Sequence, residues 1–150
     1  MATTQKYLLG SQGSIFSTDL NSLANNALVL SASAYNNTVG GGSGEGYVYC
    51  DLELVVTFGT NPTAGTAISF WFLTTSDGTN YEDGGTSVTP ARAPDLVIPV
   101  RAVTTAQRII RRCLLPWGNF KVLIKNDGTG QAFSSSGNTV KLRPVTLQAV

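Results

Sequence analysis

The sequence predicts an all-β fold, and three observations support this prediction. The chain of 150 residues is rich in Gly, Ser, Thr and Asn but poor in Glu and Lys, a composition that disfavours long helices. Its apolar runs are short and mostly alternate with polar residues, as in strands that have one buried face. Turn-forming residues separate these runs. We therefore expect one domain over residues 1–150, a β-sandwich of about eight strands with a jelly-roll arrangement.

The N-terminal third gives the weakest strand predictions. Residues 7–9 and 14–16 indicate two weak strands, and residues 27–32 indicate a further short one. Residues 1–19 are also a candidate for an extended arm that reaches a neighbouring subunit, although terminal segments are commonly disordered. Residues 40–46 are rich in Gly and indicate a surface loop, and without a strand-to-helix setting this loop does not predict phosphate binding.

Residues 47–58 give the clearest strand, because apolar residues alternate over its whole length and place Asp51 and Glu53 on a solvent-facing side. The next strand, residues 67–75, is apolar on both faces at its centre, because Trp71 points to one face and the phenylalanines on either side of it in the sequence point to the other. Something must cover Trp71. We expect the cover to come from the same chain, with another subunit as the alternative.

The long segment 76–94 contains Gly and Pro turn signals without periodicity, and loops of this length tend to be functional or mobile. Residues 95–103 resume alternation, but Pro99 predicts an edge strand or a bulge. Residues 104–115 fit either a helical stripe or a strand with a bulge between Ile109 and Ile110, and the context favours the strand.

The last two predicted strands carry basic residues on their outward faces. Residues 120–125 follow a turn and are expected to be a hairpin partner, and the final strand places Val140 and Leu142 inward. If these two strands pair, four cations share one sheet face: Lys121, Lys125, Lys141 and Arg143.

The charges are divided unevenly along the chain. Residues 1–91 carry Lys6 against seven acids, a net charge of −6, whereas residues 92–150 carry nine bases against two acids, a net charge of +7. Such asymmetry favours contact between copies or docking on a charged surface. The sequence therefore predicts a surface-binding protein.

Several other functions are not supported by the sequence. The chain has no His, and Cys50 and Cys113 lie far apart in apolar runs, so we expect no zinc site, no catalytic residue, no cofactor and no structural disulfide. The carboxylates of the 76–94 loop do not match a calcium-binding motif. Neither a signal peptide nor a membrane span is visible. Nucleic acid is not an expected partner, because basic and aromatic residues are not interleaved.

The candidate interface combines basic residues of the second half with three large aromatic residues. Solubility and protection of edge strands are the alternative roles for the basic residues. The candidates are Arg108, Arg111, Arg112, Lys121, Lys125, Lys141, Arg143, Trp71, Trp117 and Tyr81.

A set of short motifs carries a resemblance to a known class of proteins. These are FLTTSDGTNYEDG at 72–84, IPVRA at 98–102, TAQR at 105–108, and further motifs at 115–116, 120–123, 125–126, 129–132 and 136–139. Over about residues 70–143 the chain resembles small virion structural proteins of tailed bacteriophages.

The resemblance implies a head-associated cement or decoration protein, with a jelly-roll fold, that is assembled in the bacterial cytoplasm and binds the outer capsid surface. Its partners would be the major capsid protein and further copies of itself, and no catalytic residue is implied. Two alternatives remain open. One is a neck, tail or fibre component, and the other is a carbohydrate-binding β-sandwich that uses Trp71, Trp117 or Tyr81 as a sugar platform.

Overall fold

The computed structural model describes residues 5–37 and 46–149 of the chain. This part contains ten β-strands and one 3-10 turn, Thr18–Leu20, and it contains no helix long and apolar enough to cross a membrane. The strands are β1 Gln5–Leu9, β2 Gly13–Phe16, β3 Leu28–Leu30, β4 Tyr35–Asn37, β5 Tyr49–Val56, β6 Ala67–Thr74, β7 Leu96–Pro99, β8 Gln107–Leu114, β9 Gly118–Asp127 and β10 Thr139–Ala149.

The strands form two antiparallel sheets, here named sheet A and sheet B. Sheet A has the order β1-β10-β5-β8, and sheet B has the order β3-β9-β6-β7. The short strands β2 and β4 extend the positions of β1 and β3, because they pair with the other ends of β10 and β9. If β1 and β2 count as one position, β3 and β4 count as another, and the positions are renumbered along the chain, sheet A has the order 1-8-3-6 and sheet B the order 2-7-4-5. This is the arrangement of a jelly roll. The predicted fold class is therefore confirmed.

The core lies between the two sheets. Strand β5 buries Cys50, Leu52, Leu54 and Val56 completely, as its alternation predicts. Sheet B contributes large aromatic residues, and the Phe72 and Phe120 rings meet edge to face with centroids 5.3 Å apart. Burying one such side chain contributes roughly 1.5–3 kcal/mol. The opposing members of the same core cluster are Ile68, Phe70, Phe72, Ile98, Phe120, Val122 and Ile124.

Strand β8 confirms the strand interpretation of residues 104–115 but corrects two details. Its register with β5 runs without a break from Leu114 to Gln107, so there is no bulge between Ile109 and Ile110. Instead Ile109 packs on the core and Ile110 faces solvent. The expected hairpin between β8 and β9 is wrong, because β8 pairs with β5 in sheet A whereas β9 lies in sheet B.

The N-terminal segment is part of the sandwich. Strands β1 and β2 both pair with β10, so residues 5–16 form neither the candidate extended arm nor a disordered terminus. These strands satisfy the backbone groups along one edge of β10, which would otherwise be open. Residues 1–4 of the expected arm, and residues 40–45 of the expected Gly-rich loop, lie outside the described residues.

Candidate binding face

The outer face of sheet A is the solvent-exposed side of β1, β10, β5 and β8. Residues directly opposite in an antiparallel ladder share a face, so the register defines its rows. In one row Arg143 faces Asp51, which faces Arg112. In the next row Lys141 faces Glu53, which faces Ile110.

This face carries an unusual concentration of exposed apolar side chains. Of the ten large apolar residues that are exposed in the described part of the chain, six lie on the outer face of sheet A and two lie at its rim. Leu114 is 67% exposed and Tyr7 is 62% exposed. Exposed large apolar side chains that are concentrated on one face of a monomer often mark an interaction site. The six are Tyr7, Leu9, Tyr49, Ile110, Leu114 and Leu147, and the two rim residues are Val48 and Trp117.

Ion pairs cross the same face between β5 and β8. The Arg112 guanidinium donates two hydrogen bonds to the Asp51 carboxylate, at 2.8 and 2.9 Å, and Arg108 donates one to Glu53 at 2.9 Å. The hydrogen bond from Arg112 holds the pKa of Asp51 below its ordinary value. Arg112 also lies over the Tyr7 ring, 5.6 Å from its centroid. The acidic and basic halves of the sequence therefore meet within one subunit.

The seven basic candidates do not form a single surface. Arg108, Arg112, Lys141 and Arg143 lie on the outer face of sheet A, whereas Lys121 and Lys125 lie on β9 in sheet B. Because β9 and β10 do not pair, the predicted face of four cations on these strands does not exist. On the outer face of sheet A the four cations oppose Asp51 and Glu53, which leaves a net charge of +2.

Arg111 protects the free edge of sheet A. Its position opposite Leu52 directs it toward the core side, yet its side chain is exposed and Nη1 donates to the Ile110 carbonyl at 3.0 Å. An inward-pointing charge on an edge strand hinders pairing with another strand. Arg111 therefore fits the edge-protection role that was considered as the alternative for the basic residues.

Two of the three aromatic candidates are not surface anchors. Trp71 is only 3% exposed, packs with Leu73 and Leu123, and donates from Nε1 to the Arg92 carbonyl at 3.1 Å. Its cover comes from the same chain, as expected. Tyr81 is part of that cover and lies 5.0 Å beneath the Lys121 ammonium. Only Trp117, 64% exposed, remains available to a partner.

The 76–94 loop folds onto the outer side of sheet B and is held there by Arg92. The Arg92 guanidinium contacts Asp95 at 2.8 Å, Glu82 at 3.1 Å and the Phe72 carbonyl at 2.8 Å. The two carboxylates in turn accept backbone N–H groups of β6, Asp95 from Phe72 and Glu82 from Thr74. Side chains therefore accept the backbone N–H groups of β6 beyond Leu96, where β7 begins, so the loop completes this edge of sheet B.

Asp77 organises the turn at the start of this loop. Its carboxylate accepts hydrogen bonds from the Asn80 and Thr79 backbone N–H groups and from the Asn80 and Thr75 side chains. These bonds hold its pKa well below the ordinary value. In the described ranges no group of three or more Cys, Asp or Glu side chains is arranged to hold a metal ion.

A cavity of about 1150 Å³ opens beside this face, between the edge strands β7 and β8. Most of its wall is apolar, and Asp95 and Arg112 are the charged residues that line it. Trp117 forms one side and is held against Gly46, where a Cβ atom would lie only 2.1 Å from the indole ring. The half-buried Cys113 also lines this wall.

Sequence reasoning missed most of the apolar side chains on the outer face of sheet A. Tyr7 and Leu9 lie in a strand that was predicted only weakly, and Leu147 lies beyond the predicted end of the last strand. One signal was available: Tyr49 occupies the solvent-facing position of a strand whose other outward residues include Asp51 and Glu53. A large aromatic residue on a wet face indicates contact with something outside the sheet.

No protein-family model matches this chain, and a search of curated proteins finds no match.

Proposed function

We propose that this protein is a non-enzymatic virion structural protein, a decoration or cement protein that binds the outer head surface of a tailed bacteriophage. The observation that carries the binding role is the exposed apolar patch on the outer face of sheet A, which has a net positive charge. The motif resemblance supplies the phage head as the location. The fold alone does not discriminate, because jelly rolls serve both in capsids and in carbohydrate-binding proteins.

The proposed partner is the major capsid protein, and the proposed mechanism is mass action. A protein that binds the assembled shell more tightly than separate subunits stabilises the shell in proportion to its occupancy. Tyr7, Ile110 and Leu114 would be the apolar anchors, because large side chains at the centre of an interface dominate its energy. Lys141 and Arg143 would steer the encounter with an acidic capsid surface. Neighbouring copies on the particle would contact one another.

The first experiment measures the copy number of the protein in purified particles by quantitative mass spectrometry. One copy per capsid subunit, or a simple fraction of that ratio, would support the decoration role. Only a few copies per particle would instead indicate a neck, tail or fibre component. Complete absence from particles would overturn the virion proposal.

The second experiment tests the face with two matched charge variants. Lys141→Gln with Arg143→Gln removes two cations from the outer face of sheet A, and Lys121→Gln with Lys125→Gln removes two from sheet B. Both variants change the net charge equally, so a general charge effect would alter both. We expect only the sheet A variant to show a lower capsid occupancy than the wild type at low salt. This difference in occupancy from the wild type should disappear at high salt. Equal behaviour would refute the assigned orientation.

The third experiment tests the apolar anchors. Ile110→Ser with Leu114→Ser should lower affinity for particles by tenfold or more, since about 1.4 kcal/mol of lost interface energy is one factor of ten. Val88→Ser with Val97→Ser is the matched control, because these exposed valines lie away from the outer face of sheet A. A comparable loss in the control would show that the patch is not the interface.

A carbohydrate-binding role is the second candidate, and the exposed Trp117 beside a large cavity favours it. Aromatic rings at the mouth of such a cavity can stack on sugar rings. Titration with glycans, followed by Trp fluorescence, should then quench Trp117 and leave the buried Trp71 unaffected. Loss of this response in Trp117→Ala would assign the signal to Trp117.

A further inference from the structure

Cys50 and Cys113 lie directly opposite one another on β5 and β8, although 63 positions separate them in the sequence. Their sulfur atoms are 3.4 Å apart and both thiols are free. Cys50 is fully buried, and Cys113 is half-buried at the wall of the cavity. The two cysteines thus differ in access even though they face each other.

The backbone at this position already suits a disulfide. The Leu115 N–H donates to the Val48 carbonyl, and hydrogen-bonded pairs alternate along an antiparallel ladder, so Cys50 and Cys113 also form a hydrogen-bonded pair. Such pairs have Cα atoms about 5.5 Å apart, which lies within the usual range for a disulfide. The sulfurs need only approach from 3.4 Å to about 2.05 Å, by rotation of the side chains.

Access to solvent distinguishes the two thiols, since Cys50 is fully buried and Cys113 is half-buried. The thiol–thiol contact raises the pKa of Cys50, and burial adds to this effect, whereas the same contact lowers the pKa of Cys113 against the opposing effects of burial and of the Asp95 and Asp51 carboxylates. Cys113 is also the cysteine that lines the cavity. Thiolate character and access therefore coincide at Cys113, the combination found at reactive cysteines.

We propose that Cys50 and Cys113 are a redox site that small organic disulfides of the glutathione class oxidise to a cross-strand disulfide. In the first step the Cys113 thiolate attacks one sulfur of glutathione disulfide, forms a mixed disulfide and releases one glutathione thiolate. Cys50 then attacks the Cys113 sulfur, which breaks the mixed disulfide, and its proton passes to the departing thiolate of the second glutathione. Two protein thiols are oxidised and one glutathione disulfide is reduced to two thiols.

The disulfide would fasten the edge strand β8 to β5, beneath the outer face of sheet A. Strand β8 has only one ladder partner in the described residues, so a covalent link to β5 would reinforce its single attachment to sheet A. A chain folded in a reducing cytoplasm would carry two thiols, and the same chain in oxidising surroundings would carry the link. The inference does not depend on the identity of the binding partner.

The test equilibrates the purified full-length protein with defined ratios of reduced to oxidised glutathione. Intact mass and thiol titration after unfolding should show loss of both thiols in a monomer, and peptide mapping should link Cys50 to Cys113. Because the link closes a loop of more than sixty residues, the melting temperature of the oxidised protein should rise by about 10 °C. Two titratable thiols at every ratio, or a link formed only between chains, would overturn the proposal.

Single cysteine variants separate the two roles. Cys50→Ser keeps the accessible Cys113 thiol and should stop at the mixed disulfide, with one glutathione added to the mass. Cys113→Ser keeps only the buried thiol and should react at least tenfold more slowly. Equal rates of modification in the folded variants would contradict the assigned order of attack. The capsid experiments above are independent of these measurements, so either proposal can fail alone.

Discussion

Arg92 should be a main determinant of how firmly the 76–94 loop covers sheet B. Arg92→Met keeps most of the aliphatic stem but removes the bonds to Glu82, Asp95 and the Phe72 carbonyl. A hydrogen bond that involves a charged group contributes about 1.5–3 kcal/mol, and the partial exposure of Arg92 reduces its bond to the Phe72 carbonyl to about 1 kcal/mol. The side chains of the two ion pairs are each about a third exposed or more. Screening by solvent therefore reduces the contribution of each pair to stability to about 0.5 kcal/mol. The variant should therefore lose about 2 kcal/mol of unfolding free energy.

Urea unfolding followed by circular dichroism measures this loss, which corresponds to a melting temperature lower by about 4–8 °C. Fluorescence adds a local readout, because the loop covers Trp71 and loosening it should shift the emission to longer wavelength. Arg101→Met is the matched control, since the structure shows no hydrogen bond or ion pair of the exposed Arg101 side chain among the described residues. A loss below about 0.5 kcal/mol, within the range of ordinary surface substitutions, or an equal loss in the control, would refute the reasoning.

Three further predictions concern single side chains. Asn126→Leu should lower the free energy of unfolding by about 3 kcal/mol, because the buried amide donates to three backbone carbonyls that would lose their partner. Thermal unfolding measures this loss of stability. Gly46→Ala should displace the Trp117 indole, seen as altered fluorescence with little change in secondary structure. Asp51→Asn should lower stability at neutral pH, and the difference from wild type should shrink as pH falls below the ordinary carboxyl value near 3.8, because Asp51 has a lowered pKa in the folded state. A difference that stayed constant down to pH 2 would contradict this account.

The sequence predicts the strands well where burial has a period of two. Strands β5, β9 and β10 were expected with the correct inward residues because each alternates against the core between the sheets, and β6 was expected as a strand that is apolar on both faces. Strand β4 was missed, since its buried Asn37 is stabilised by hydrogen bonds rather than by apolar packing. The Asn37 amide donates to the Tyr47 and Pro116 carbonyls, and Oδ1 accepts from the Tyr47 N–H. Hydropathy carries no signal for such a residue.

Pairing between distant strands could not be predicted from local pattern. Strand β8 follows β7 and precedes β9 in the chain, yet it pairs with neither. Its partner β5 lies more than fifty residues away, which is why Cys50 and Cys113 looked unrelated in the sequence. Long-range pairing also places β9 in sheet B and β10 in sheet A, so the expected face of four cations does not form. Local periodicity determines which residues point inward, but the choice of neighbour depends on the packing of the whole sandwich.

The jelly-roll order changes how the charge asymmetry of the chain acts. It inserts the acidic strand β5 between the basic strands β8 and β10, so Asp51 and Glu53 of the acidic half are paired with arginines of the basic half within sheet A.

What remains is a smaller difference in net charge between the two sides of the sandwich. The outer face of sheet A keeps a net charge of +2, whereas the sheet B side combines three cations with five anions for a net charge of −2. The sheet B groups are Arg92, Lys121, Lys125, Asp77, Glu82, Asp83, Asp95 and Asp127. Long-range fields of this kind orient an approaching partner more than they hold it. The field therefore favours docking with sheet A toward an acidic surface, and the exposed apolar residues of the same sheet would then supply the affinity.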